Sequence, residues 1–184
     1  MAVVGHGDLG RGEGGLDGGA ARDRGVTLTP ALLRRMSGPG LAIPYLTGRP
    51  ELQLVERLVA AYPGLADGRG WGARFGRELN RSDDTPLFSR RRTGMPVVEG
   101  KHIDPFGVRL RDCELRVANP DGLPGPALRE AVRRHRLAYR DVASATNRLT
   151  LISAIVPPGA VTVHTLYCLK EPMPIDDQVV LCCM

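Results

Sequence analysis

A chain of 184 residues is long enough for one domain with a substantial core or for two smaller units. Its net charge of +5 and pI near 9.4 admit a polyanionic partner. No apolar run reaches the roughly 18 residues of a membrane span and no basic, apolar secretory leader opens the chain. Four cysteines (Cys113, Cys168, Cys182 and Cys183), none in a CxxC pair, indicate neither a disulfide framework nor a zinc site, so a reducing cytoplasm is the expected location. Lys101 and Lys170 are the only lysines, so the positive charge is almost all arginine. That bias also suits a chain rich in alanine, glycine and arginine throughout, so placement has to carry any nucleic-acid argument.

Residues 1–25 are glycine-rich and poor in large apolar side chains, the composition of a leader too weakly apolar to offset its ordering entropy. A short helix is expected in "TLTPALLRRMS", with Thr29 as N-cap and Pro30 at the first helical position. A second is expected in "PELQLVERLVAAYPG", where Leu54, Leu58 and Ala61 recur at helical spacing and Pro63-Gly64 ends it. From Trp71 onward short apolar segments alternate with polar turns. "MPVVEGKHI", "GVRLRDCELRVA", "LTLISAIVPP" and "VTVHTLYCL" read as strands, and "NPDGLPGP" as a turn. Between them "PALREAVRRHRLAYRDVA" reads as one long helix, with Leu128, Ala131, Val132, His135, Ala138, Tyr139 and Val142 on one face. On another face Arg129, Arg133, Arg136 and Arg140 form a basic stripe, either a phosphate-tracking ridge or a solvated surface relieved by Glu130 and Asp141. The expected fold is α+β: a mixed sheet with flanking helices behind a disordered glycine-rich leader. The expected organisation is a leader over 1–25, a helical connecting segment over 26–70 and a principal domain over 71–184.

Several strings carry the outline of a chemistry without its context. "VVGHGDLG" contains GxGxxG, but "MAVV" is too short for the preceding strand and the glycine-rich string after it cannot pack as a helix. Glu99 and Lys101 in "VVEGK", with Asp83 and Asp84 upstream, suit a magnesium-dependent nuclease; an ion-paired turn is the competing reading. His164 and Cys168 would share a strand face, with core packing the competing explanation. "NPDG" lacks the second proline and the aromatic of an Asn-Pro-Pro-aromatic tetrapeptide, which receives a flipped adenine.

Four blocks, "AIPYLTGRPELQLVERLVAAYPGL", "FGRELNRSDDTPLF", "MPVVEGKHIDPF" and "RLAYRDVASATNRLTLISAIVPPGAVTVHTLYCL", resemble the C-terminal target-recognition region of large adenine-specific DNA methyltransferases. These are enzymes of type II restriction–modification and related phage-defence systems, and the region is similar to the TaqI-like specificity domain. The resemblance covers about residues 26–184. It implies a domain that binds double-stranded DNA. S-adenosylmethionine and the methyl-transfer motif would lie in a separate catalytic domain, either on another chain or lost with the missing segment, so that this chain has no cofactor of its own. It also implies a product cut at both ends, since the resembling proteins continue past the helix that starts near Asp177.

Carried over by motif, Asn147, Arg148, Thr146 and Thr150 present polar groups to DNA. Arginine suits guanine or phosphate, asparagine adenine, and threonine phosphate. Arg77 and Asn80 of "GRELN", and Lys101 and His102 of "EGKHI", are further DNA candidates, with Glu99 orienting Lys101. Arg133, Arg136, Arg140 and the run Arg90, Arg91, Arg92 would neutralise phosphates. The rival expectations are a nuclease built on Asp84, Glu99 and Lys101, a non-functional gene remnant, and a module whose basic face meets an acidic protein.

Overall fold

The computed structural model describes residues 2–4, 25–142, 149 and 151–184. The fold is α+β, and the chain divides into two compact units, Met1–Gly72 and Ala73–Met184.

In the first unit β1 (Ala2–Val4) runs antiparallel to β2 (Val26–Leu28), and residues 5–24 of the expected leader lie outside the described residues. Helix α1 (Pro30–Ser37) starts where the capping residues predict: Thr29 Oγ1 accepts from the Leu32 amide at 3.2 Å, with Pro30 in the first turn. Helix α2 (Arg49–Ala61) stops just before Pro63. Leu28, Leu32 and Leu33 form a small core against Leu52 and Val59 of α2. The stripe read from the sequence, Leu54 and Leu58, is exposed instead. The packing face of α2 is therefore set by α1 rather than by its own most regular apolar spacing.

The second unit begins with β3 (Phe75–Gly76) and β4 (Phe88–Ser89), followed by β5 (Met95–Val98) and the hairpin of β6 (Ile103–Asp104) and β7 (Gly107–Val108). Next come β8 (Arg116–Val117), helix α3 (Pro126–Ala131) and β9 (Arg136–Arg140). It closes with β10 (Ser153–Val156), β11 (Val161–Thr162), β12 (Leu166–Leu169) and helix α4 (Ile175–Cys183). One sheet is antiparallel in the order β10-β9-β12-β3; the other is mixed, β11-β5-β8-β4, with β11 parallel to β5. The antiparallel sheet is buried on both faces. Ala138, Ala154 and Cys168 face one core with Val98 and Ile103, while Leu137 and Leu169 face α4 through Leu181 and Cys182. Gln178 of α4 is buried; its Oε1 accepts from Leu137 N at 2.7 Å and its Nε2 donates to Met173 O at 2.9 Å.

The long helix expected over 126–143 is corrected here. Helix α3 ends at Ala131 and the chain re-enters the sheet as β9, which pairs antiparallel with β10 on one side and β12 on the other. Arginine, leucine and alanine all favour helix locally, but "LAY" is also a short continuous apolar run of the kind found in a strand buried on both faces, and two waiting partner strands decide the matter.

Two backbone positions are constrained. Gly94 has φ +105, and a Cβ there would stand 2.6 Å from the Val117 carbonyl oxygen. Phe106, in the two-residue connection of the β6–β7 hairpin, has φ +67, a left-handed conformation that costs a bulky residue about 1–2 kcal/mol.

Candidate nucleic-acid interface

A cleft of about 540 Å³ in the second unit opens where several strand ends meet; Arg81, Glu99, Lys101, Arg140, Asp141 and His164 line it. Glu99 and Lys101 lie in the turn that leads out of β5, Arg140 and Asp141 end β9, and His164 and Thr165 form the turn between β11 and β12. Backbone bonds fix this convergence. Gly100 N donates to Thr165 Oγ1 at 2.9 Å, Asp141 N donates to Thr165 O at 3.0 Å, and Arg81 N donates to His164 Nδ1 at 3.2 Å. Because His164 Nδ1 accepts, its proton in the neutral ring sits on Nε2.

Glu99 is the organising group. It is 7% exposed, and its two oxygens are divided between cations: Oε1 receives Arg81 Nη1, and Oε2 lies 3.1 Å from Lys101 Nζ. The Arg81 and Lys101 side chains are 49% and 55% exposed. Two half-exposed cations thus share one buried carboxylate, leaving the trio with one net positive charge at the cleft surface. Arg81 also lines a neighbouring hollow with Arg90, so the basic tract continues beyond the cleft.

Of the residues singled out in the sequence, Lys101 and Arg140 meet at this cleft. Arg77 lies at its edge, 2.6 Å from Asp141 and over the Tyr167 ring at 5.2 Å. The Arg140 guanidinium is already held by the Ile103 carbonyl. Asn80 holds a turn: its Oδ1 accepts from Ser82 N at 3.0 Å and its backbone N–H donates to Asp84 Oδ2 at 2.7 Å. Arg133 is exposed near Glu130 and, with Arg129, lines a separate hollow, so the expected stripe does not exist as one surface.

Two expectations are corrected outright. Arg136 is fully buried, 2.7 Å from Glu78 Oε1, and it donates to the carbonyls of Ala131, Arg134 and Ala160 at 2.7–2.9 Å. Glu78 Oε2 in turn accepts from the amide and hydroxyl of Thr162. Arg136 therefore ties the two sheets together and offers nothing to a phosphate. His102 is 2% exposed; its Nδ1 accepts from Glu99 N at 3.0 Å, and burial pushes its pKa below the usual histidine value. It is a neutral member of the core rather than a DNA contact.

Asn147, Arg148 and Thr150, with Thr146, lie outside the described residues; Asp141 and Val142, which precede this segment, line the cleft. Sequence reasoning missed Arg81 and His164 as cleft residues. No local signature pairs Arg81 with a carboxylate 18 positions away, and the spacing around His164 points only to Cys168. Cys168 instead packs in the core against Thr162, its thiol pushed up to about 12 by burial; Cys113 is likewise raised to about 11. Among the described residues no group of three or more histidine, cysteine or acidic side chains is placed to hold a metal ion, and no helix is long and apolar enough to cross a membrane.

No protein-family model matches the chain, and no curated protein matches it.

Proposed function

We propose that this chain is a DNA-binding specificity module of a site-specific adenine-N6 DNA methyltransferase of a restriction–modification or phage-defence system, with methyl transfer supplied by a catalytic domain on another polypeptide. The observation that carries the DNA part is the shared carboxylate: Arg81 and Lys101 stand half exposed on either side of Glu99, with Arg140 beside them. A carboxylate so placed holds both cations in position, while the unbalanced charge attracts a polyanion. The resemblance of the four sequence blocks supplies the methyltransferase context. In this reading Arg81, Lys101 and Arg90 meet phosphates, and Asn147, Arg148 and Thr150 reach base edges or phosphates from the segment that follows the cleft rim.

The nuclease alternative gains no support from the geometry. Glu99 has both oxygens committed to cations, and Asp84 accepts from the Asn80 amide.

Fluorescence anisotropy with a labelled duplex, titrated between about 50 and 200 mM salt, tests the reading. Replacing Arg81 and Lys101 together with alanine should reduce the slope of log K against log salt by about two. A wild-type chain that melts cooperatively yet ignores duplex DNA at low salt would refute it.

A further inference from the structure

We infer that Phe106 is an aromatic finger that stacks on a nucleobase at an opened step of the bound duplex; this rests on the DNA-binding reading above. The connection between β6 and β7 is Pro105-Phe106, with Asp104 paired to Gly107 and Ile103 to Val108. Proline suits the first position of such a turn, but the second requires positive φ and normally takes glycine or asparagine. Phe106 occupies it at φ +67 and is 65% exposed. Burial therefore does not account for the largest side chain in the turn, placed where glycine would be more stable. Strain of this kind persists where the surroundings over-determine it, and it marks functional positions.

The surroundings do over-determine it. The Phe106 amide donates to Ser153 O at 2.9 Å, and the Arg109 amide donates to His102 O at 2.8 Å. The guanidinium of Arg140 clasps the Ile103 carbonyl, and that of Arg109 sits 3.1 Å from Asp104 and also bonds the Lys101 carbonyl. The hairpin is thus a rigid mount, and a pre-positioned ring loses little entropy on binding.

Lys101 ties the hairpin to the cleft. The charge around the ring is balanced, with Lys101, Arg109 and Arg111 standing against Glu99, Asp104 and Asp112, Glu99 on Lys101 and both aspartates on Arg109. Lys101 belongs to the cleft and stands five residues from Phe106, so their Cα atoms are at most about 18 Å apart, the length of about five base steps. One short element thereby offers a phosphate contact and an exposed ring within half a turn of DNA, the combination of a groove-bound wedge or stacking platform. The ring also borders a small groove with Leu149, Leu151 and Met184, where another protein is the competing occupant.

The test compares wild type, Phe106→Gly and Phe106→Tyr on a perfect duplex and on the same duplex with one abasic site, where less stacking has to be broken. Wild type and Phe106→Tyr should prefer the abasic duplex. Phe106→Gly should melt at a higher temperature, bind the abasic duplex roughly ten- to a hundredfold more weakly, lose the preference, and keep the same salt slope. Unchanged affinity and preference in Phe106→Gly would overturn the inference, as would a lower melting temperature, which would make the ring a packing group. Self-association abolished by Phe106→Gly with DNA affinity intact would assign the ring to a protein contact and overturn it too. A wild type that binds neither duplex removes the DNA reading itself.

Discussion

Replacing Arg136 with methionine separates the structural from the electrostatic role of the arginines. In the folded chain the Arg136 guanidinium touches Glu78 and three backbone carbonyls, and nothing of it reaches solvent. Methionine fills much of the volume but leaves those carbonyls unpaired and Glu78 buried, with only the Thr162 amide and hydroxyl as donors. Removing one partner of a buried pair costs about 3–5 kcal/mol, mostly through the charge left behind. At about 4 °C per kcal/mol for a unit of this size, the melting temperature should fall by roughly 12–20 °C. Thermal melts followed by circular dichroism read the fall, and the salt dependence of duplex binding, measured well below the melt, should be unchanged. Arg133→Ala is the control: its side chain is 71% exposed, so stability should move by no more than about 0.5 kcal/mol. The reasoning is refuted if Arg136→Met melts like wild type while its salt slope drops by about one.

Gly94→Ala should destabilise the chain by about 2 kcal/mol or more, read by urea unfolding, because the new Cβ meets the Val117 carbonyl at 2.6 Å in a backbone conformation alanine rarely adopts. Glu99→Gln removes the one negative charge of the trio and leaves both cations, so duplex binding should tighten at low salt with its salt slope unchanged; magnesium-dependent plasmid cleavage that vanishes in this variant would favour the nuclease instead. Burial holds the His102 pKa below that of the unfolded chain, so the unfolded state takes up the proton first as the solution is acidified. The stability this histidine contributes is complete above about pH 6.5 and is lost as pH falls toward its folded-state pKa. The urea midpoint should therefore drop between about pH 7 and pH 5.5, and drop less in His102→Asn; equal drops in the two proteins would remove His102 as the source.

Local chemistry made a good part of this molecule readable in one dimension. A threonine before Pro30 caps a helix because its hydroxyl meets an amide three residues on, and Pro63-Gly64 marks a stop because proline cannot continue the ladder. "MPVV", "SAIV" and "LYCL" are strands because short apolar runs between turn residues find burial only in a sheet. The pairing of Glu99 with Lys101 was also within reach, the two being two residues apart. Long-range partners settled the rest. Residues 136–140 suit a helical segment or a strand buried on both faces alike, and β10 and β12, distant in sequence, decide for strand. Arg136 and Arg140 look alike on paper. One meets Glu78, 58 positions away, and disappears into the core, while the other stops at the cleft. A charged side chain becomes a pillar or a binding group according to which distant carboxylate and carbonyls surround it, and that depends on the packed chain because desolvation and Coulomb energy are properties of the whole environment.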